Sequence, residues 1–196
     1  MRRCQKFPSF PPVCYSPQAR AVNLYVRNMV NDEGGFWMLI KSEDLERDAA
    51  LDVARLMLVA ARTAPKAMGL DTIVTAIVGG EDQNKLADEM ERIGKEKNLP
   101  RRIRDAGNVR NSQLVALIGV KYTGDPSNEL KLVDLGIALG SASKIASDLN
   151  VDNRIMRSIG EAAENMKLLQ ADYVLGIPIS IKGKSIFFDR PPIGTL

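Results

Sequence analysis

Leu114-Val115-Ala116-Leu117-Ile118-Gly119-Val120 is seven residues with no polar side chain, too short to span a membrane and too apolar for a strand with one wet face. It reads as an inner strand covered on both sides. Thr72 to Val78, β-branched and without alternation, reads the same way, and Gly79-Gly80 then turns the chain. Helical patterns flank both runs. Strands of this kind alternating with helices give an α/β (α+β) layered domain, a central sheet packed by helices.

Before the first strand, Ser42 can cap a helix with Glu43 and Asp44 in its first turn, favourable at the positive end of the dipole. Val53, Leu56, Met57 and Ala60 form its inner stripe, and Leu51 and Leu58 widen it until the helix is expected to be largely buried. Pro65 ends it. A second helix, about Asp82 to Lys97, turns Leu86, Met90 and Ile93 inward, with Asp88/Arg92 and Glu91/Lys95 as outer pairs. Pro100 follows, and Arg101 to Gln113 is expected to be a polar loop. Beyond the second strand, Tyr122 to Asn128 is a loop and Leu130 to Leu149 a helix, with Leu135, Leu139, Ala142, Ala146 and Leu149 on one stripe. Gly136, Gly140 and neighbouring small residues keep this helix thin, open to close approach by another helix or a flat ligand. Asp152 to Leu168 is expected to be helical, burying Ile155, Met156, Ile159, Ala163 and Met166. Tyr173 to Ile179 and Ser185 to Phe188 read as strands around Lys182-Gly183-Lys184.

The 196 residues, 45% hydrophobic and 26% charged, exclude a disordered or collagen-like chain. No signal-peptide h-region or membrane-spanning run is found, so a cytoplasmic protein with no membrane partner is expected. There is no histidine, which removes Ser-His-Asp and Cys-His nucleophile pairs, HExxH sites, His-ligated zinc and any imidazole base. The only cysteines, Cys4 and Cys14, fall short of the four thiolates of an ordinary iron–sulfur cluster, so no cluster and no metal site are expected. They leave one disulfide or two free thiols.

The first 37 residues stand apart as an arm preceding a single domain, 38–196. They hold both cysteines, four of ten prolines, six of ten aromatics and the whole net charge of +3. The arm could drape over a partner subunit. Alternatively, Met29 and Met38 are candidate starts, and Glu33-Gly34-Gly35 could be encoded by a purine-rich ribosome-binding sequence, which would make part of the arm a misassigned gene start. The domain itself balances to zero net charge, without the basic face expected of a nucleic-acid binder, so no nucleic-acid partner is expected.

Gly79-Gly80 could cradle a phosphate, but Glu81 and Asp82 follow at once and compete for the same positive helix end, favouring a plain turn. GxGxxG and GxxxxGK[ST] are absent. Arg62-Thr63-Ala64-Pro65-Lys66-Ala67-Met68-Gly69 places two cations and a hydroxyl in a kinked loop, although cations also suit a helix C-terminus structurally. Lys182, Lys184 and Arg190 form a second basic cluster, or a solvated hairpin. Should the clusters meet, they would bind a phosphate or a carboxylate. Arg104-Asp105 and Asn108-Val109-Arg110-Asn111-Ser112 could bind a polar ligand or knit a loop to the strand ends; the residue types favour the knit. No pair of carboxylates stands out for acid/base work.

Several stretches together resemble the uncharacterised prokaryotic ferredoxin-domain-containing family, a domain of unknown function: Ala61 to Ala67 with Gly69, Arg104-Asp105-Ala106 with Asn108-Val109-Arg110, Asp134 to Ser141, Val151 to Met156, Leu175-Gly176-Ile177-Pro178, and Phe187-Phe188-Asp189-Arg190. The resemblance runs from about Leu39 to Arg190. Members usually carry a cysteine-rich segment, suggestive of an iron–sulfur cluster, between the second strand and the helix near Leu132. Here Tyr122 to Leu130 fills that interval without cysteine.

A more distant similarity is to nitroreductase-like flavoproteins. It implies that Arg62, Lys66 and Gly69 are flavin-proximal and that Lys184 or Arg190 lies on the phosphate side. The arginine-rich phosphate motif that should precede the first helix is missing, and Lys66 and Asp71 stand where serine and glutamine are expected. The expectation is a redox-associated homodimer with an FMN- or anion-binding crevice at the subunit interface, where any enzyme activity is that of a flavin-dependent oxidoreductase. The alternative is a non-catalytic ligand-binding or scaffold protein that has lost the cluster segment.

Overall fold

The structure, a computed structural model, describes residues 41–122 and 128–188. The arm with its cysteines, residues 123–127 and Arg190 lie outside them. In chain order the elements are α1 (Ser42–Thr63), a 3₁₀ turn (Ala67–Gly69), β1 (Ile73–Val78), α2 (Gly80–Glu96), α3 (Pro100–Asn111), β2 (Leu114–Val120), α4 (Asn128–Asp148), β3 (Asp152–Asn153), α5 (Arg157–Asn165) and β4 (Tyr173–Ser180). The four strands make one sheet in the order β1-β2-β4-β3, every pair antiparallel.

β2 is the centre, and its all-apolar sequence follows from that. Ala116, Ile118 and Val120 pack towards α1 and α4, while Val115 and Leu117 pack towards α2, α3 and α5. Alternation of side chains across a strand feeds two cores at once. β1, expected to be inner, is instead an edge that pairs only with β2 among the described residues, and its middle residues are half-buried.

On one face, α1 buries Ala50, Val53, Ala54, Met57 and Ala61 against Leu135, Ala138, Leu139, Ala142 and Ala146 of α4. The alanines let the two helices lie close. α1 is not largely buried, however: Leu56 and Val59 are more than half exposed, because only one side of the helix meets the sheet and α4. The α4 stripe stands except at Leu149, which follows the helix end and is exposed. On the other face, Leu86, Met90 and Ile93 of α2 are buried as expected. Glu91 pairs with Lys95, but Arg92 takes Glu89 and Glu96, leaving Asp88 to Arg110.

Three segments differ from their sequence reading. The Arg101–Gln113 loop is largely helix: Pro100 occupies a first-turn position where its missing N–H costs nothing, and Ala106 and Val109, three apart, are buried. The helix expected from Asp152 starts only at Arg157, because Asp152 and Asn153 pair with β4 and Met156 exchanges both backbone hydrogen bonds with Gly176. Ser185–Phe188 forms no strand; Phe187 drops into the core beside α2, α3 and α5.

α5 lies directly on β4. A Cβ on Gly160 would sit 1.7 Å from the Val174 carbonyl oxygen, and one on Gly176 would sit 2.1 Å from Ile159. Glycine is thus required on both surfaces, and the N-terminus of α5 is held at a fixed height above the sheet. Among the described residues no helix is long and apolar enough to cross a membrane.

Candidate functional site

The 62–69 stretch begins where α1 ends. Arg62 donates to Asp71 Oδ2 at 2.6 Å and to the Ile73 carbonyl at 2.8 Å, tying the helix end to the start of β1. Burial works against the Asp71 carboxylate, but the Arg62 hydrogen bond, the Ile73 N–H and the charges of Arg62 and Lys66 together hold its pKa below the ordinary value. Lys66, 7% exposed, turns back over the helix end and donates to the carbonyls of Ala61 at 3.3 Å, Ala64 at 2.8 Å and Arg62. Its ammonium thereby satisfies carbonyls that a helix C-terminus leaves open. Met68 (φ 54°) and Gly69 (φ 68°) are left-handed, and a Cβ at Gly69 would meet open space.

This loop is anchored from α4. Asp134 Oδ1 accepts the Ala67 N–H at 2.8 Å, and its Oδ2 lies 3.8 Å from Lys131 Nζ. Both side chains are almost wholly buried, and neither Lys131 Nζ nor Asp134 Oδ2 has a hydrogen-bond partner among the described residues. Sequence reading missed Lys131. The signal was there: Lys131 precedes Leu135 by four residues and Asp134 precedes Ala138 by four, placing both charges on the buried stripe.

The structure gathers Arg62, Lys66 and Gly69 around one loop but does not bring Lys184 to them within the chain. Arg62 reaches Ile73, which is opposite Val120, whereas Lys184 follows the end of β4, where Ile179 is opposite Leu114. The clusters are therefore at opposite ends of the sheet, about 20 Å apart along β2 at about 3.3 Å per residue. Lys184 is exposed. Gly79-Gly80 is a plain turn into α2, with Glu81 and Asp82 in the first helical turn.

Around the 64–70 loop the surface is apolar. Leu56 and Val59 of α1, Met68 and Leu70 of the loop, and Val133 and Ile137 of α4 are all exposed. Gly136 and Gly140 share the outer side of α4 with nothing within 4 Å of an added Cβ. Among the described residues no three His, Cys, Asp or Glu side chains cluster to hold a metal ion.

A model for a family described as uncharacterized proteins containing a ferredoxin domain matches residues 124–190. An uncharacterized protein of Archaeoglobus fulgidus is 38% identical over 186 aligned positions, covering 79% of this chain and 99% of its own length. The chain belongs to this family of uncharacterized, ferredoxin-domain-containing proteins. Among solved structures it is similar to a nitroreductase with bound FMN from Desulfitobacterium hafniense, with TM-score 0.53 and 14% identity over 79% of this chain and 83% of that one. An FMN-dependent nitroreductase from Clostridium difficile gives TM-score 0.52 and 14% identity, over 75% of this chain and 79% of that one. Nitroreductase A of Vibrio parahaemolyticus gives 0.50 and 14%, over 76% and 62%. The fold is nitroreductase-like. The chain spans 58% to 62% of the length of some solved relatives, less than two thirds.

Proposed function

We propose that the protein is a cytoplasmic, redox-associated homodimer that binds FMN in a crevice between its two copies. Arg62, Lys66 and Gly69 of one copy line the flavin side, and Lys184 and Arg190 supply cations on the phosphate side. The observation that carries this reading is the exposed apolar surface around the 64–70 loop and along α1 and α4, on a nitroreductase-like fold. Exposed apolar surface of this kind commonly marks an interface or a ligand groove. The separation of the two basic clusters within one chain also favours a site completed by a second copy.

FMN, when bound, supplies the hydride and electron chemistry. The chain's own residues shape the loop, exclude water with Met68 and Leu70, and place positive charge. Lys66 and Asp134 hold the loop backbone from either side, so its conformation is set before any ligand arrives. The engagement of Arg62 and Lys66 with Asp71 and the α1 carbonyls is the observation that favours the alternative, a non-catalytic ligand-binding protein.

Titration of FMN into the purified protein, followed by quenching of flavin fluorescence and by absorbance near ~450 nm, separates the two readings. Saturable quenching, weakened several-fold in R62A and K184A, is expected. Sedimentation should give a dimer, and Gly140→Leu, which adds bulk to the outer side of α4, should give monomers that no longer bind FMN. No quenching, or a wild-type monomer, would remove the flavin reading.

A further inference from the structure

We propose that a second site, the cleft between the N-termini of α3 and α5, binds a phosphate-bearing small molecule through Arg101, Arg154 and the first backbone N–H groups of α5. The cleft encloses about 360 Å³, and its wall carries Arg101, Arg102, Arg104, Arg154 and Arg157 against a single carboxylate, Asp105. Three of the five guanidiniums are already paired. Arg104 holds Asp105 at 2.8 Å, Arg157 holds Glu164 at 2.7 Å, and Arg102 holds Glu161. Arg101 and Arg154 have no carboxylate partner among the described residues. The Arg154 guanidinium stacks 5.6 Å from the Phe188 ring centroid, and its buried Nη1 donates to no acceptor among the described residues.

The placement of these cations runs against the helix dipoles. α1, α2 and α4 carry acidic residues in their first turns: Glu43 and Asp44, Glu81 and Asp82, and Glu129. α3 and α5 carry none, neither has a side-chain cap, and arginines occupy their opening turns. Cations beside a positive helix end repel it, and an uncapped end leaves N–H groups short of acceptors; in α3 Pro100 has no N–H and the Arg102 N–H bonds the Leu99 carbonyl at 2.9 Å, so this second penalty falls on α5. An anion in the cleft would reverse both penalties. The wall is also braced for one: Ser158 and Arg104 both bind Asp105, which keeps that carboxylate turned to its neighbours.

Phosphate fits better than a carboxylate. Two separate guanidinium forks and the helix N–H groups require more acceptor oxygens than the two of one carboxylate, and a phosphate dianion offers three. The volume lies at the small end of the range for small-molecule sites, about 300–1,000 Å³, with Leu99, Ile155 and Met156 as an apolar wall for a compact body. The cations converge on one concavity rather than running in a stripe, which fits a small ligand and not a polymer. None of the residues assigned to flavin takes part.

The test is calorimetric titration of the full chain with inorganic pyrophosphate in a chloride buffer of constant ionic strength. One saturable site per chain is expected, weakened at least tenfold in R101A and in R154A. Should R154A fail to fold, R101Q, at an exposed position in the first turn of α3, serves in its place. Absence of saturable binding, unchanged affinity in these variants, or succinate binding as tightly as pyrophosphate would each overturn the assignment. Affinity lost in K184A but kept in R101A would move the anion to the flavin phosphate contact and likewise end the proposal. FMN binding, measured separately, can fail without touching this result.

Discussion

Asp134→Ala should be among the most damaging single substitutions in the described part of the chain. It takes away the counter-charge 3.8 Å from the Lys131 ammonium, which is buried and makes no hydrogen bond among the described residues, and also the acceptor of the Ala67 N–H. Removing one member of a buried ion pair costs about 3–5 kcal/mol, because the remaining charge stays desolvated without compensation. For a chain of this size that corresponds to a melting point lowered by roughly 6–20 °C. K131M/D134N should recover most of the loss, since it removes both charges while leaving an amide oxygen for Ala67. Urea denaturation of the wild type, K131M, D134N and the double variant gives the coupling energy directly. A D134A penalty below about 1 kcal/mol, or a double variant no more stable than D134A, would refute the reasoning.

Two further outcomes follow from the second helical layer. The bidentate bond from Arg92, aided by Asn165 and opposed by desolvation, lowers the Glu89 pKa from 4.5 to about 2. A carboxylate whose folded pKa is depressed stabilises the protein above its unfolded pKa and loses that contribution as pH falls. E89Q should therefore flatten the stability profile between pH 4.5 and about 2 in acid titrations followed by circular dichroism; a profile as steep as wild type would contradict this. Gly160→Ala, whose Cβ would overlap the Val174 carbonyl, should cost about 3 kcal/mol or more, whereas Gly107→Ala, in open space within α3, should be neutral or gain about 0.5–1 kcal/mol. Equal melting points for these two variants would count against the backbone-to-backbone packing of α5.

The sheet centre was legible because Leu114–Val120 carries its own burial: a strand that feeds two cores cannot afford a polar residue. The inner faces of α1, α2 and α4 were legible for the same reason, since helical spacing of apolar residues reports one covered side. What the pattern could not report was the uncovered side. Leu56 reads as core in sequence and faces outward, because hydrophobicity is shared by cores and interfaces. α3 was hidden by its composition, ten of its twelve residues being other than the buried Ala106 and Val109. The bend at Asp152–Met156 was hidden because pairing with β4, a partner distant in sequence, overrides local helical spacing.

The candidate residues divided along similar lines. Arg62, Lys66 and Gly69 could be grouped from sequence because they are neighbours in it. That Arg62 and Lys66 bind Asp71 and the α1 carbonyls depends on how the chain turns after Pro65, which no spacing rule encodes. The arginine-lined cleft draws on two separate segments, 99–105 and 154–158, and only the tertiary fold places Arg101 and Arg154 in one wall.

At Gly160 the α5 backbone meets the Val174 carbonyl of β4 with no side chain of its own to act as a cushion or hinge. Helix α5 and the middle of the sheet must then translate together as one rigid body. Adaptation of the neighbouring cleft to a different occupant is confined to the lengths and head groups of the side chains on its rim, because the floor beneath them cannot be retuned.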